Sequence, residues 1–414
     1  MSMRRTDAVV IGGGPAGMMA ALAAAQRGRH VTLLEHEKFV GRKLRITGKG
    51  RCNLCNDCDV KRFMQNVPRN PKFLYGALSR FTPADTMAFF ESLGVPLKTE
   101  RGGRVFPVSD RAHDVANALE RALRRAGVQI REETAAEAVL TENGAVCGVR
   151  TKQDFYPAQK VILATGGCSY PATGSTGDGY EMARALGHTI IEPRGSLVPL
   201  VEKGHVCASM QGLALKNVEV KLLDAKGKCV FQDFGELLFT HFGLSGPVIL
   251  SASCHMARGK DGYRVAIDLK PALDEKTLDA RILRDFAEFQ NKDLANAMTK
   301  LLPHSMIDPV IRMAGADPQQ KVNELKKGER RALLETMKRF VIDIASCAPV
   351  EQAIVTSGGV KVSEVSPKTM ESKIVRGLYF AGEVLDVDAY TGGFNLQIAW
   401  ATGRLSGSSA AEVE

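Results

Sequence analysis

A glycine-rich turn near the start of the chain has the residue types and spacing of a dinucleotide site. Gly12, Gly14 and Gly17 follow the apolar run Ala8–Ile11 and open an alanine-rich stretch. The first glycine permits a tight turn, the second lets a pyrophosphate approach the backbone, and the third allows close helix–strand packing. The helix start then offers free N–H groups to phosphates. We therefore expect these residues to bind an adenine dinucleotide: Gly12, Gly14, Pro15, Ala16 and Gly17.

An acidic residue stands where the ribose of such a ligand would lie. Glu35 follows a second apolar run, Val31–Leu34, and comes 23 residues after Gly12. A carboxylate there accepts hydrogen bonds from ribose hydroxyls and repels a 2′-phosphate, which disfavours NADP at this site. We include the neighbouring His36 in the predicted site. The order strand, turn, helix, strand and acid favours a ligand site over its alternative, a tight packing turn without ligand.

Two later segments favour FAD over NAD, which the first motif alone leaves open. Val161–Gly167 is a buried strand that ends in a glycine turn, and Gly377–Glu383 is another that ends in glycine plus an acid. An acid there could bind the ribityl chain or contact the pyrophosphate through water. Thr391–Leu396 opens a final helix, whose N-terminus would stabilise the reduced flavin anion at its N1–O2 edge. The residues assigned here are Ala164, Thr165, Gly166, Gly382, Glu383, Gly392, Gly393, Phe394, Asn395 and Leu396.

A basic loop, Gly41–Asn56, has no clear periodicity and is rich in glycine, arginine and lysine. Cations and exposed N–H groups suit a pyrophosphate and the flavin pyrimidine edge. The alternative is a solvated basic loop. The residues that we assign to cofactor binding in this loop are Arg42, Lys43, Leu44, Gly50, Arg51, Cys52 and Asn53, and we add Ala135 from a later segment.

Three cysteines of the same region, Cys52, Cys55 and Cys58, have the spacing of three iron–sulfur ligands. A fourth ligand would be needed, and the other cysteines lie far away in sequence, so we predict no metal site. A redox-active pair and plain loop thiols are the remaining interpretations, and the second is favoured.

His241 and Tyr390 are the candidate catalytic residues. The pKa range of histidine suits proton transfer, and His241 lies near glycines in a segment of β character. A structural histidine that satisfies backbone groups is the alternative. Tyr390 lies just before the final helix, and Asp386 and Asp388 could line the same cavity.

Several longer motifs resemble one family. The BaiN/YhiN-like, or aminoacetone oxidase-like, FAD-dependent oxidoreductases are similar to this chain nearly from end to end. The resemblance implies that the basic loop runs along FAD and that only Cys52 of the three cysteines belongs to the family pattern. The matching segments are Gly41–Asn53, Ala164–Tyr180, Leu238–Pro247, Thr356–Val360, Thr369–Lys373, Gly382–Asp386 and Thr391–Gln397.

The pattern of elements predicts an α/β fold with nested domains, and the resemblance implies the same arrangement. A discontinuous Rossmann-type FAD-binding domain takes residues 1–193 and 364–414. A β-barrel-like domain takes 194–272 and 340–363, and it carries a helical insert over 273–339. Glycines interrupt the apolar stretch Ala8–Ala25, so we expect no membrane span. Nine scattered cysteines in 414 residues favour reduced thiols in a cytoplasmic protein.

The expected activity is that of an FAD-dependent oxidoreductase, in which hydride from a small-molecule substrate or from NAD(P)H reaches flavin N5. A second G-x-G-x-x-G unit is missing from the sequence, so NAD(P)H would dock only transiently. The net charge of +9 and the basic patch Lys326–Arg331 motivate a rival, an RNA-modifying flavoprotein, although we favour a small molecule over nucleic acid. A protein that uses FAD only structurally is the third alternative.

Overall fold

The computed structural model describes residues 6–256 and 261–412, and the chain divides into two compact units. The first unit is discontinuous and comprises Met1–Ser196 and Val350–Glu414; the second is Leu197–Pro349. Each unit has its own hydrophobic core. The domain bounds expected from the sequence place residues 350–363 with the barrel. In the structure, strand Val355–Val360 of this segment pairs with Ile190–Ser196 of the first unit.

The strands range from 2 to 12 residues in length. In chain order they are β1 Ala8–Ile11, β2 Val31–Leu34, β3 Cys55–Asn56, β4 Leu97–Glu100, β5 Arg104–Pro107, β6 Gln129–Arg131, β7 Ala136–Glu142, β8 Ala145–Thr151, β9 Phe155–Pro157, β10 Lys160–Leu163, β11 Ile190–Ser196, β12 Leu200–Glu202, β13 Ala214–Leu223, β14 Cys229–Thr240, β15 Gly243–Ser245, β16 Arg264–Asp268, β17 Phe340–Cys347, β18 Val355–Val360 and β19 Leu378–Phe380.

The α-helices range from one turn to almost five turns. They are α1 Pro15–Ala25, α2 Val60–Gln65, α3 Tyr75–Arg80, α4 Pro83–Ser92, α5 Ala112–Arg125, α6 Asp178–Ala185, α7 Pro247–Ser253, α8 Glu275–Glu288, α9 Leu294–Ala297, α10 His304–Met313, α11 Lys327–Lys338 and α12 Phe394–Ala410. Within residues 6–256 and 261–412, no helix combines the length and the apolar character that crossing a membrane requires.

A five-stranded parallel sheet organises the first unit, in the order β19-β10-β1-β2-β6. Every residue of β1 and β2 is buried, which explains why these strands are continuous apolar runs rather than alternating patterns. The chain leaves β1 for β2 on one side, while β10 joins β1 on the other side. The carboxyl end of β1 is therefore a topological switch point, where ligands bind in open α/β sheets.

The last helix, α12, closes the first unit by packing on α1. A Cβ atom on Gly403 would lie 2.3 Å from the Ala16 carbonyl oxygen, and one on Gly407 would lie 2.1 Å from that of Ala20. Only glycine allows the two backbones to approach so closely. Residues almost 400 positions apart in sequence thereby form one core.

The second unit is built on a closed barrel, in the order β12-β15-β14-β13-β16-β17. The helices α8 to α11 fall between β16 and β17, which are antiparallel neighbours in the barrel. Their buried side chains, among them Leu278, Ile307 and Leu333, belong to the same core as the barrel residues. The helices and the barrel thus form one compact unit.

Candidate functional site

The predicted cofactor residues gather at the carboxyl edge of the parallel sheet. Gly12 follows β1, Glu35 follows β2, Ala164 follows β10, and Gly382 comes two residues after β19. Parallel strands present their carboxyl ends at one edge, so four separate segments of the sequence meet there.

The glycine turn after β1 has the geometry of a pyrophosphate cradle. Gly12 has φ +102°, and a Cβ atom there would lie 2.6 Å from the Ala164 carbonyl oxygen. A Cβ on Gly17 would lie 1.9 Å from the Gly12 carbonyl oxygen. At Gly14, by contrast, no atom of the described residues lies within 4 Å of such a Cβ. Gly14 precedes α1, and no side chain caps this helix start, so N–H groups of the first turn are available to a ligand.

Glu35 is held rigidly at the end of β2. Its Oε2 accepts a hydrogen bond from the Gly13 N–H at 2.7 Å, and its Oε1 accepts from the Glu37 N–H at 2.8 Å. Each carboxylate oxygen has a second acceptor site, so a ribose hydroxyl can still donate. His36 lies with its Nε2 3.9 Å from Oε1. Ala135 is drawn to this edge because the N–H of Thr134 donates to the Glu35 carbonyl oxygen at 2.8 Å.

A polar network joins the basic loop to the end of β19. Lys43 Nζ donates to Ser169 Oγ at 2.7 Å and to Glu383 Oε2 at 3.0 Å. Glu383 Oε1 accepts from Ser169 Oγ at 2.9 Å and from the Thr356 N–H at 2.7 Å. Thr356 Oγ1 in turn accepts from the Cys168 N–H at 2.7 Å. The structure thus brings Lys43 and Glu383 together, and it adds Ser169 and Thr356, which the sequence analysis did not assign individually.

The two arginines predicted to bind the cofactor are paired with carboxylates. Arg42 contacts Glu37, while the Arg51 guanidinium binds Asp110 at 2.6 Å and also Glu100. The hydrogen bond from Arg51 lowers the pKa of Glu100. Hydrogen bonds from Lys98 and then Arg51 lower the pKa of Asp110. The Arg51 side chain therefore anchors the loop. The backbone of the same loop has positive φ at Lys49, Gly50 and Cys52.

The surroundings of the three loop cysteines favour the thiol over the thiolate. Burial raises the pKa of Cys52 to about 12 and that of Cys58 to about 11, and it also raises the pKa of Cys55. A thiolate, rather than a thiol, is the nucleophile and metal ligand, so this environment disfavours reactivity. All nine cysteines of the chain lie in its described part, and none of them forms a disulfide there. In the described part of the chain, no group of three or more His, Cys, Asp or Glu side chains could hold a metal ion.

The N-terminus of α12 is a second uncapped helix start. Gly393 precedes it with φ +99°, and a Cβ there would lie 2.3 Å from the Cys55 carbonyl oxygen. Asn56 Nδ2 donates to the Gly392 carbonyl oxygen at 2.9 Å. With the Asn53 amide turned so that its oxygen faces a donor, that oxygen accepts from the Gly393 N–H at 3.1 Å. The basic loop and the glycine pair thus hold each other in place.

The remaining predicted residues sit around these helix starts. Leu44 and Phe394 are buried and pack in the core of the first unit, and Leu396 packs against it. Asn395 Nδ2 donates to the Ala389 carbonyl oxygen at 2.7 Å, and its Oδ1 accepts from the Ala389 N–H. Gly166 has φ +77°, and Thr165 Oγ1 is a buried oxygen without a partner among the described residues.

The two candidate catalytic residues lie in different units. Tyr390, in the first unit, is half-buried, and its N–H donates to the Asn66 carbonyl oxygen at 2.9 Å. His241 is exposed in the two-residue turn between β14 and β15 of the second unit, with its ring 5.0 Å from that of Phe242. Their roles stay predictions.

Comparisons with known proteins show which family the chain is similar to. The family described as "HI0933-like protein Rossmann domain" matches residues 6–409. The 3-dehydro-bile acid delta(4,6)-reductase of Clostridium scindens is 34% identical over 411 residues, which cover 97% of this chain and 98% of that protein. The ribosomal RNA dihydrouridine synthase of Escherichia coli is 32% identical over 409 residues, covering 97% and 96%.

One solved structure, the open conformation of a flavocytochrome c3 fumarate reductase, has a TM-score of 0.53 with this chain. Its sequence is 18% identical, and the superposition covers 99% of this chain and 78% of that one. At this identity, the likeness concerns the fold. The family match and the two full-length relatives confirm the resemblance drawn from the motifs: the chain belongs to the HI0933-like Rossmann family of FAD-dependent oxidoreductases.

Proposed function

We propose that this protein uses FAD to reduce a carbon–carbon double bond conjugated with a carbonyl group in a small molecule. The observation that carries the proposal is the convergence, at one sheet edge, of the glycine turn, Glu35 and the polar network around Glu383. This edge supplies every group that a dinucleotide needs: open N–H donors, a ribose acceptor and space beside Gly14.

The chain's own residues would hold FAD as follows. The start of α1 and the bare backbone at Gly14 bind the pyrophosphate, and Glu35 accepts from the adenosine ribose. The start of α12, with Gly392 and Gly393, faces the flavin pyrimidine edge, where its partial positive charge stabilises negative charge. Bound FAD supplies hydride transfer. Lys43 adds a fixed cation beside these groups, because Glu383 and Ser169 hold its ammonium in place.

The names of the two full-length relatives support the choice of reaction. A delta(4,6)-reductase removes double bonds from a ring system, and a dihydrouridine synthase adds hydrogen across a double bond of uracil. Both reactions add a hydride and a proton to an alkene activated by a carbonyl group. We infer the same chemistry for this chain, with NAD(P)H docking transiently as the donor. Glu35 repels a 2′-phosphate at the Rossmann turn, so NADPH would bind elsewhere.

Product analysis tests the proposal. The FAD-loaded protein is reduced without oxygen by NADH or NADPH and then mixed with cyclohexenone, or with a conjugated steroid ketone. The expected products carry two more hydrogens by mass spectrometry, and the flavin bands return as the alkene is consumed. Saturated ketones serve as the control and should leave the flavin reduced. Reduced flavin that persists with every unsaturated ketone and reoxidises only with oxygen would contradict the proposal.

Uridine in RNA is the second candidate substrate. The 32% identical relative named for ribosomal RNA and the net charge of +9 favour it. The basic patch Lys326–Arg331 gives it less support, because Arg330 pairs with Asp279 at 3.0 Å and Arg331 with Glu275 at 2.9 Å. The same experiment with a uridine-containing ribosomal RNA fragment separates the candidates, since only one substrate class should reoxidise the flavin quickly.

A further inference from the structure

Two carboxyl groups in the segment before α12 lie in opposite environments. Asp386 pairs with the Arg69 guanidinium and accepts from Asn70 Nδ2 at 3.1 Å. Asp388 is 2% exposed and accepts from the Ser196 hydroxyl at 2.7 Å through Oδ2. Its Oδ1 is buried without a hydrogen-bond partner among the described residues. The two neighbouring carboxyl groups therefore differ in their contacts: Asp386 has a cationic partner, whereas one oxygen of Asp388 lacks a hydrogen bond.

The surroundings of Asp388 favour its neutral form. A buried carboxylate oxygen that lacks a donor is costly, whereas a neutral carbonyl oxygen in the same place costs much less. Burial raises the pKa of Asp388, and this effect is opposed by the hydroxyls of Ser196 and Ser357 and by the charges of Arg69 and Arg194. A proton on Oδ2 would be donated to Ser196 Oγ, which reverses that hydrogen bond and leaves Oδ1 as a carbonyl oxygen.

Asp388 is also tied to the start of α12. The next residue, Ala389, is fixed through both its N–H and its carbonyl oxygen by the Asn395 side chain, in the first turn of that helix. On the other side, the Asp386 N–H donates to the Val360 carbonyl oxygen at 3.0 Å. The carboxyl group is therefore held at a fixed position beside the helix start assigned to the flavin.

We propose that Asp388 is a neutral carboxylic acid that stores the proton consumed by the reduction and delivers it through the Ser196 hydroxyl. This inference rests on the proposed function. Reducing a double bond consumes one hydride, with two electrons, from the reduced cofactor, and one proton. The proton passes from Asp388 Oδ2 to Ser196 Oγ, while Ser196 releases its own proton toward the alkene carbon. The resulting Asp388 carboxylate regains a proton from water. In this scheme Asp388 is a positioning residue, because it acts through Ser196.

Infrared difference spectroscopy of the holoenzyme tests the protonation state without any substrate. Spectra of the oxidised and chemically reduced protein are compared at neutral pH for the wild type and Asp388→Asn. We expect a carbonyl-stretch band of a protonated carboxyl group that is lost in Asp388→Asn. Asp285→Asn is the control, because Asp285 is also buried but lies on α8 of the second unit, where Arg281 Nε is 3.5 Å from its Oδ2 and favours the charged form. It should leave the band in place. Absence of an Asp388 band would overturn the proposal.

Stopped-flow kinetics test the delivery of the proton. In Asp388→Asn, reoxidation of the reduced protein by cyclohexenone should slow about 100-fold, as expected for loss of acid catalysis, while reduction by the nicotinamide donor should keep its rate. In the wild type, the reoxidation rate should fall as pH rises through the raised pKa of Asp388. Ser196→Ala should slow reoxidation but keep the infrared band. Equal reoxidation rates in the wild type and both variants would refute the relay.

The two readouts separate failure of this inference from failure of the proposed function. If no unsaturated ketone reoxidises the wild type, the proposed function fails, whereas the infrared band still reports whether Asp388 is neutral. If Asp388→Asn does not fold, Ser196→Ala keeps the carboxyl group and still tests the relay.

Discussion

Substitutions at two glycines of the first turn should affect different properties: one the stability of the fold, the other the binding of the cofactor. Gly12→Ala should lower the free energy of unfolding of the apo-protein by at least about 1–2 kcal/mol, because alanine is strained at φ +102° and its Cβ would meet the Ala164 carbonyl oxygen. Gly14→Ala should leave apo-protein stability nearly unchanged but weaken FAD binding, since its Cβ enters the open space assigned to the pyrophosphate.

Urea unfolding of the apo-protein and fluorescence titration with FAD measure the two effects. Gly28→Ala is the control for strain, because Gly28 has φ +83°, with no described atom near its Cβ, and comes after α1 at the opposite end of the helix. The Gly28→Ala protein should be less stable than the wild type but should bind FAD with the same affinity. If Gly14→Ala binds FAD as tightly as the wild type, the pyrophosphate does not bind at this turn.

Glu383 gives a second prediction at the residue scale. Glu383→Gln keeps the size of the side chain but removes the charge that holds Lys43 Nζ at 3.0 Å. Because a partly buried cation then lacks its counter-charge, we expect a loss of about 1–3 kcal/mol in the free energy of unfolding and weaker FAD binding. Thr356→Ser keeps the hydroxyl bonded to the Cys168 N–H, so it should lose only the roughly 1 kcal/mol of a buried methyl group and keep the affinity for FAD. If Glu383→Gln matches the wild type in both, the network does not organise the site.

The sequence predicts residues that a local pattern marks, and it does not predict residues whose place in the site depends on contacts with distant segments. The positions of Gly12 and Glu35 at the ends of β1 and β2 were predictable, because a strand, a turn and a helix surround them in register. Thr356 and Ser169 were not, since nothing near them in sequence shows that both bond to Glu383. From the sequence, Arg51 was predicted to bind the cofactor, because its carboxylate partners Glu100 and Asp110 lie about 50 to 60 residues away in the chain.

At the scale of elements, the basic loop Gly41–Asn56 depends on acidic partners. Arg51 and Lys98 lower the pKa values of Glu100 and Asp110, so the charged forms stabilise the folded state at pH values above the ordinary carboxyl pKa of about 4. That stability is lost as pH falls through the lowered folded-state pKa values. We expect the free energy of unfolding to fall on acidification below about pH 4, and to fall less steeply in Arg51→Gln.

Denaturant unfolding at a series of pH values checks this slope. The effect should be small, because these carboxyl groups are near the surface and water screens them. Arg101→Gln, an exposed arginine on the neighbouring turn, should keep the wild-type slope. Parallel pH profiles for the wild type and Arg51→Gln would show that the loop is anchored by other contacts.

The packing of α12 on α1 gives a prediction for the helix pair. Gly403→Ala would place a Cβ 2.3 Å from the Ala16 carbonyl oxygen, so the helices must separate. We expect a loss of about 1–3 kcal/mol, the usual cost of overpacking, measured by urea unfolding. Ser408→Ala, on a less buried face of the same helix, should be nearly neutral. A fully stable Gly403→Ala protein would contradict the close approach.

Elements with a strong period were predicted well, and pairings between distant segments were not. The first β-α-β unit and the helices between β16 and β17 follow from their hydrophobic patterns. The pairing of β18 with β11 joins Val355 to Ser196 across more than 150 residues, so no local pattern reveals it. This pairing is why the second compact unit ends at Pro349.

At the scale of the whole molecule, the net charge of +9 raises the question of whether the protein binds nucleic acid. For a small-molecule reductase, we expect protein purified at low salt to carry no nucleic acid, and added ribosomal RNA to bind weakly, with an affinity that falls steeply as salt rises. The ratio of absorbance at the nucleic-acid and protein maxima, followed by filter binding, measures this. Tight RNA binding that survives physiological salt would favour uridine as the substrate.

The visible spectrum of the purified protein tests the central claim, that the two ends of the chain form one site for a redox-active flavin. We predict flavin bands with about one FAD per chain, released on denaturation, and bleaching of those bands by NADH or NADPH without oxygen. Gly14→Ala and Glu383→Gln should each lower the fraction of protein that carries FAD, although the two residues lie more than 350 positions apart in the sequence. A folded protein that shows no flavin bands even after incubation with excess FAD would contradict the account.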